Sequence, residues 1–218
     1  MPNLNLSADE VLTTTRAVRK RLDLDRPLDM AAVRESLEIA LQGPSGSNSQ
    51  GWHFVLVTDA DKRAAIAALY KQAFDDYATG PNEPTRQHTD DPDMASTQQR
   101  ILASARYLAD NLHRVPALLI PCVGGRPDMP EAPLALQAGL FGSILPAVWS
   151  FMLAARERGI GTCWTTLHLV HEKAVADILG IPPDVAQVAL VPIAHTIGTE
   201  FRPAPRKPLD PVLHMEGW

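Results

Sequence analysis

The sequence predicts an α/β or α+β sandwich, because β-branched and aromatic runs alternate with helical apolar periodicities over its whole length. Strand-like runs stand at 52–58 (WHFVLVT), 117–123 (ALLIPCV), 162–166 (TCWTT) and 187–195 (QVALVPIAH), with helix-like segments between them. At 218 residues, 45% of them apolar, the chain fits one domain, 1–218, around a single large core. Element order alone does not say which strands run parallel.

Ser7 followed by Glu10 is a capping box, so a helix is expected from Ala8, carrying Val11, Leu12, Thr15 and Val18 toward the basic cluster Arg16–Arg21. On that helix Arg16 and Arg19 would lie one turn apart. Asp29 reads as the N-cap of a second helix with Val33, Leu37, Ala40 and Leu41 on its apolar face, closed by Gly43. The stretch PSGSNSQG that follows is loop. After the first strand a helix is expected from Asp59 or Asp61 to about Tyr77, then a long exposed loop over 79–95, then a helix over 96–114. The loop GGRPDMPEAP precedes a helix at 134–157, apolar around most of its circumference, which belongs in the core or at a subunit interface. Pro146 inside it predicts a kink or break. Gly159 and Gly161 end that helix, a further helix covers His171–Leu179, and the last twenty-odd residues form a Pro-rich tail without periodicity.

Composition excludes several classes. A net charge of −5 argues against nucleic-acid binding, since neutralising a phosphate backbone needs a broad basic face. Cys122 and Cys163 lie far apart inside apolar runs and read as buried free thiols. The N-terminus has no basic-then-apolar leader pattern and no run is read as approaching a membrane span, so a soluble, cytoplasmic protein without a membrane partner is expected. There is no GxSxG elbow, Walker loop or GxGxxG opening a helix. His168 and His171 lack the further ligands a metal needs, and read as an exposed pair at a helix start. With no side-chain nucleophile, metal or phosphate loop in view, the pattern favours an enzyme whose chemistry resides in an organic cofactor.

Three stretches, in order, resemble the FMN-binding segments of the nitroreductase family. Thr15-Arg16-Ala17-Val18-Arg19 is similar to the basic motif of the family's first helix, with Ala17 where a phosphate-binding serine is common. Pro44-Ser45-Gly46-Ser47-Asn48-Ser49-Gln50-Gly51-Trp52 looks like PSxxNxQPW, with Gly51 in place of proline. Leu153-Ala154-Ala155 through Gly159-Ile160-Gly161-Thr162-Cys163-Trp164-Thr165-Thr166-Leu167 is similar to the family's segment over the isoalloxazine. Pro205-Arg206-Lys207-Pro208 resembles a tail motif carrying a phosphate-binding arginine.

The resemblance implies an α+β fold: a nitroreductase-like three-layer α-β-α sandwich, its central, mostly antiparallel sheet flanked by helices, assembled as an intertwined homodimer. It implies non-covalently bound FMN, with NADPH or NADH as co-substrate and a nitroaromatic, quinone or similar small-molecule acceptor, in a ping-pong cycle through flavin N5. Arg16 and Arg206 are then expected at the phosphate and Arg19 at the pyrimidine edge, where a fixed cation stabilises charge on the reduced ring. Pro44, Ser45, Gly46, Ser47, Asn48 and Gln50 would reach the ribityl chain and ring across the dimer interface. Main-chain groups of Trp164, Thr165, Thr166 and Leu167 would lie near N5. Segments 79–95 and 124–133 are expected to shape the acceptor slot. Two rivals stay open: a flavin-remodelling or dehalogenating enzyme on the same fold, and a non-catalytic flavin-binding protein.

Overall fold

A computed structural model describes residues 3–81 and 83–218; Met1 and Pro2 of the N-terminus, and Asn82 of the expected 79–95 loop, lie outside the described residues. Helix α1 (Ala8–Thr14) opens with the capping box, Ser7 Oγ accepting from the Glu10 amide and Glu10 accepting from the Ser7 amide. It stops short of the basic cluster. Thr13, Thr14 and Thr15 turn their hydroxyls onto the carbonyls four residues back, and Thr15 already has extended backbone. Arg16 to Val18 therefore run as an extended segment, and the one-turn helical spacing of Arg16 and Arg19 is corrected.

Asp29 caps α2 (Met30–Ala40) through the amides of Ala31 and Ala32. Strand β1 (Trp52–Val57) leads through the Asp59 cap into α3 (Ala60–Thr79). The expected long loop is shorter than its composition predicts: a 3-10 turn occupies Pro84–Arg86, and α4 (Pro92–Asn111) starts on Asp91 with proline in its first turn, where the missing N–H costs nothing. Strand β2 (Ala117–Gly124) and α5 (Leu134–Glu157) follow, then β3 (Ile160–Thr162), α6 (Glu172–Leu179), β4 (Val185–Gln187) and β5 (Val191–His195). Pro146 neither breaks nor ends α5, whose neighbouring Ile144, Ala147 and Val148 are fully buried and fix both flanks of the lost hydrogen bond.

Sheet order is β1-β2-β5-β3 with β4 also on β2, and every named strand pair is antiparallel. Because side chains alternate across a strand, Leu118, Ile120 and Cys122 of β2 enter one core with Ile66, Phe74, Leu108 and Val175. Ala117, Leu119 and Val123 enter a second core with Val33, Ile144, Val148 and Phe151. The sheet thus has α3, α4 and α6 on one face and α2 and α5 on the other, which is the three-layer α+β sandwich.

Two strand boundaries differ from the expectation. The run 187–195 is interrupted because Ile120 and Pro121 of β2 face Val188, Ala189 and Leu190, a bulge in which the Val188 amide donates to the Pro121 carbonyl and Leu190 pairs instead with Thr165. The third strand ends at Thr162 rather than running to Thr166, since Thr165 leaves β3 for that same pairing.

Gly161 lets three elements meet: a Cβ there would lie 2.8 Å from Thr196 Cγ2 and 3.0 Å from both Leu22 and Val18. Gly161→Ala is expected to cost about 2 kcal/mol through this overpacking. An unchanged denaturant midpoint would show that the three neighbours yield freely.

Helix α5 is 24 residues long and apolar enough to cross a membrane by length and composition, contrary to the reading that no run approaches that length. Its inner face is core here, whereas Leu134, Leu136, Phe141 and Trp149 on the outside are exposed.

Candidate functional site

The extended segment after α1 is held against β3 by the Val18 amide donating to the Thr162 carbonyl (2.8 Å) and by a parallel bridge from Ala17 to Thr162. That placement brings five of the sequence-selected residues onto one cleft of about 350 Å3: Arg16, Ala17, Arg19, Trp164 and Arg206. Thr15, Ile101 of α4 and Trp149 and Met152 of α5 complete its lining. None of these four stood among the predicted site residues.

The arginines are unspent as charges. Arg16 donates to the Arg202 carbonyl (2.8 Å), Arg19 to Ser104 Oγ (3.3 Å) and Arg206 to the neighbouring Pro205 carbonyl (3.0 Å). Among the described residues none of the three pairs with a carboxylate. Guanidinium groups in a cleft without acidic partners favour an anionic ligand.

Thr165, next to Trp164 in the chain, does not itself line this cleft and is fixed on two sides. Its amide donates to Leu190 and its carbonyl accepts from Leu190 (3.1 and 2.8 Å), while its hydroxyl bonds the Tyr70 hydroxyl at 3.0 Å. The Thr165 amide is therefore occupied, whereas those of Trp164 and Thr166 donate to no protein acceptor among the described residues. Thr166 and Leu167 continue into a 3-10 turn, Leu167–His171, with Leu167 against the first core. Burial pushes the Tyr70 phenol up to about 12, so it stays neutral and available to Thr165. Tyr70→Phe should lower stability by about 1 kcal/mol by taking away that partner. A thermal scan showing no loss would demote the bond to a bystander.

The 44–50 loop stands apart from this cleft within one chain. Pro44 is exposed and Ser45 half-buried; Gly46 to Gln50 are exposed, and none of them lines the cleft. The Gly46 amide donates to Ser143 Oγ of α5 (2.9 Å), the Gln50 amide to Ser45 Oγ, and the Gln50 side chain to Asn48 Oδ1 (3.1 Å). Ser47, Asn48 and Gln50 all have left-handed backbone, φ 52°, 53° and 50°, which is costly for side-chain-bearing residues and concentrates at ligand-binding segments. The described residues of segments 79–95 and 124–133 also contribute nothing to this lining. The second is clamped by Arg126, which holds both carboxylate oxygens of Glu172 at 2.8 and 2.9 Å.

Both cysteines are buried free thiols. Burial, then the Glu172 charge, pushes Cys122 up to about 12; burial also raises Cys163, with Arg19 opposing, so neither is an activated nucleophile. The histidine pair is not simply exposed: His168 is fully buried with both ring nitrogens unpartnered among the described residues.

The cleft, partly aromatic, fringed by arginines without acidic partners and set against an antiparallel sheet between helical layers, offers an apolar wall beside groups that favour an anion. The chain belongs to the nitroreductase family, whose model matches residues 12–195. It is 27% identical over 195 residues to a 4-nitrobenzoate reductase of Nocardioides sp. (strain LMS-CY), covering 80% of this chain and 74% of that protein. It is 28% identical over 201 residues to a 5,6-dimethylbenzimidazole synthase of Rhodospirillum rubrum, covering 88% and 80%. Among solved structures, the FMN and NADPH-dependent nitroreductase NfnB of sphigopyxis sp. strain HMH superposes with a TM-score of 0.68 at 23% identity, covering 98% of this chain and all (100%) of that one. Iodotyrosine deiodinase bound to FMN and 3-iodo-L-tyrosine gives 0.66 at 18% identity, covering 96% and 98%.

Proposed function

We propose that this chain, as one domain over 1–218, binds FMN without a covalent link and acts as an NAD(P)H-dependent oxidoreductase on nitroaromatic, quinone or similar electrophilic acceptors. The observation that carries the reading is the convergence of Arg16, Arg19, Arg206 and Trp164 on one cleft from three distant parts of the chain. FMN would supply the redox chemistry, taking hydride from NADPH or NADH and passing electrons to the acceptor in the same slot.

The residues fit that group. Arg16 and Arg206 would hold the phosphate with charge-assisted forks, and Ala17, lacking a hydroxyl, would offer only its backbone there. Arg19 would be the cation to meet the ring's pyrimidine edge, where a fixed charge offsets developing negative charge without reorganising. Trp164 stands in the lining with Trp149 and Met152, an apolar wall that limits water, and its unspent amide would supply a donor there. The chain's own groups thus bind, orient and electrostatically tune the cofactor, and no side chain acts as nucleophile.

The assembly is a homodimer. Two features support it: the exposed apolar side of α5, with Leu134, Phe141 and Trp149, and the strained loop carrying Ser45, Ser47, Asn48 and Gln50, which lies off its own chain's cleft. In that assembly the partner's loop completes each site. A cytoplasmic location, with neither nucleic acid nor membrane as partner, belongs to the same reading.

Likeness to a 5,6-dimethylbenzimidazole synthase and to a deiodinase favours, as second reading, a flavin-remodelling or dehalogenating enzyme on this site. One spectrum separates the readings. A purified protein whose flavin band bleaches anaerobically with NADPH or NADH and returns on adding a quinone is the expected result. A flavin that stays oxidised with both nucleotides, or no flavin band at all, overturns the oxidoreductase assignment.

A further inference from the structure

Beside the flavin cleft lies a second cavity of about 250 Å3, lined by Arg16, Arg19, Lys20, Arg21, Ser104 and Phe201, with Ala17 and Val18 of the connecting backbone. It shares Arg16, Ala17 and Arg19 with the flavin cleft, so the two spaces adjoin along the extended segment. Four of its lining side chains are cations and none is an acid. Each guanidinium is spent on neutral groups: Arg16 on the Arg202 carbonyl, Arg19 on Ser104, and Arg21 on the carbonyls of Ile197 and Glu200 while stacking on Phe201 at 4.0 Å. Lys20 is exposed and has no hydrogen-bond or carboxylate partner among the described residues. In a chain of net charge −5, four such cations around one cavity form a local excess that repels itself unless an anion is present.

FMN does not account for this excess. Its phosphate is matched by Arg16 and Arg206 and its ring edge by Arg19, which leaves Lys20 and Arg21. We infer that this cavity is a second anion site, where Lys20 and Arg21 recognise a phosphate or carboxylate group on the molecule that approaches the flavin. The inference rests on the proposed function. Two molecules could bring the group: the dinucleotide, through its 2′-phosphate, or an acceptor bearing a carboxylate.

Lys20 is the residue to change, because Arg21 also holds the 197–201 backbone and its removal disturbs the chain. In Lys20→Glu, with Lys20→Gln as the uncharged control, two ratios of kcat/KM are measured: NADPH against NADH, and 4-nitrobenzoate against nitrobenzene. A fall of about tenfold in either ratio, smaller in the glutamine variant and at unchanged FMN content, is expected, since one charge-assisted contact is lost. The ratio that falls identifies the source of the anion. If neither moves, the site does not exist. Loss of FMN instead would show that the cavity holds the flavin's own phosphate, which overturns the inference. A wild-type protein that oxidises neither nucleotide sinks the oxidoreductase reading alone; calorimetric titration of inorganic phosphate into wild-type and Lys20→Glu protein then decides the site, equal heats overturning it.

Discussion

Arg206→Ala is expected to weaken FMN binding about tenfold to a hundredfold while leaving the stability of the flavin-free protein unchanged. Arg206 is exposed on the irregular tail, its only hydrogen bond among the described residues runs to the adjacent Pro205 carbonyl, and yet it lines the cleft with Arg16. Nothing in the core depends on it. What it would contribute is a fork of donors to phosphate oxygens, worth more than a neutral hydrogen bond because one partner is ionised. Fluorescence titration of FMN into the flavin-free variant reads the affinity, and a thermal scan of the same sample reads the fold. Wild-type affinity in that titration would remove Arg206 from the phosphate site.

A second large effect is expected from His168, through pH rather than through a ligand. Burial, opposed weakly by the Glu172 charge, lowers its pKa from the ordinary 6.5 to about 4. The folded protein therefore keeps the ring neutral where the unfolded chain takes up a proton. Stability from this group is fully present above pH 6.5 and is lost as pH falls toward 4, by about 3 kcal/mol in all. His195, also buried and also lowered in pKa, chiefly by burial, adds in the same direction. Its Nε2 accepts the Asp29 amide at the start of α2, a role protonation would remove. In His168→Phe the ring volume is kept and no ring nitrogen is left unpartnered. Urea midpoints measured from pH 7 to pH 4 should fall less steeply in the variant than in wild type. Parallel curves would mean that His168 does not titrate between the folded and unfolded states.

Much of the architecture is local enough to read directly. The capping residues Ser7, Asp29 and Asp59 mark helix starts because each side chain satisfies amides that the helix itself leaves open. The apolar run over 134–157 becomes a helix with those same bounds, because nothing but a single proline interrupts its periodicity. Where the reading erred, a tertiary partner outweighed a local tendency. The expected helix through Arg16–Arg19 gives way to an extended segment because Val18 gains the Thr162 carbonyl as an edge-strand partner. The expected strand at 187–195 is broken because Leu190 pairs with Thr165.

The candidate site divides along the same line. Arg16, Ala17, Arg19, Trp164 and Arg206 could be selected from the sequence because residue type and order carry the family pattern. Tyr70, Ser104, Trp149 and Met152 could not, since each reaches the site from the middle of a helix whose sequence says only that it packs. By itself the sequence determined the alternation of elements, the apolar faces and the residues able to bind an anion and a flat ring, all properties of composition and short-range spacing. Only the tertiary structure decided that the arginines converge without acidic partners, that Thr165 is fixed by Leu190 and Tyr70, and that His168 is shut away from water. Those outcomes depend on contacts between segments far apart in the chain, where burial and pairing are set by which surfaces meet.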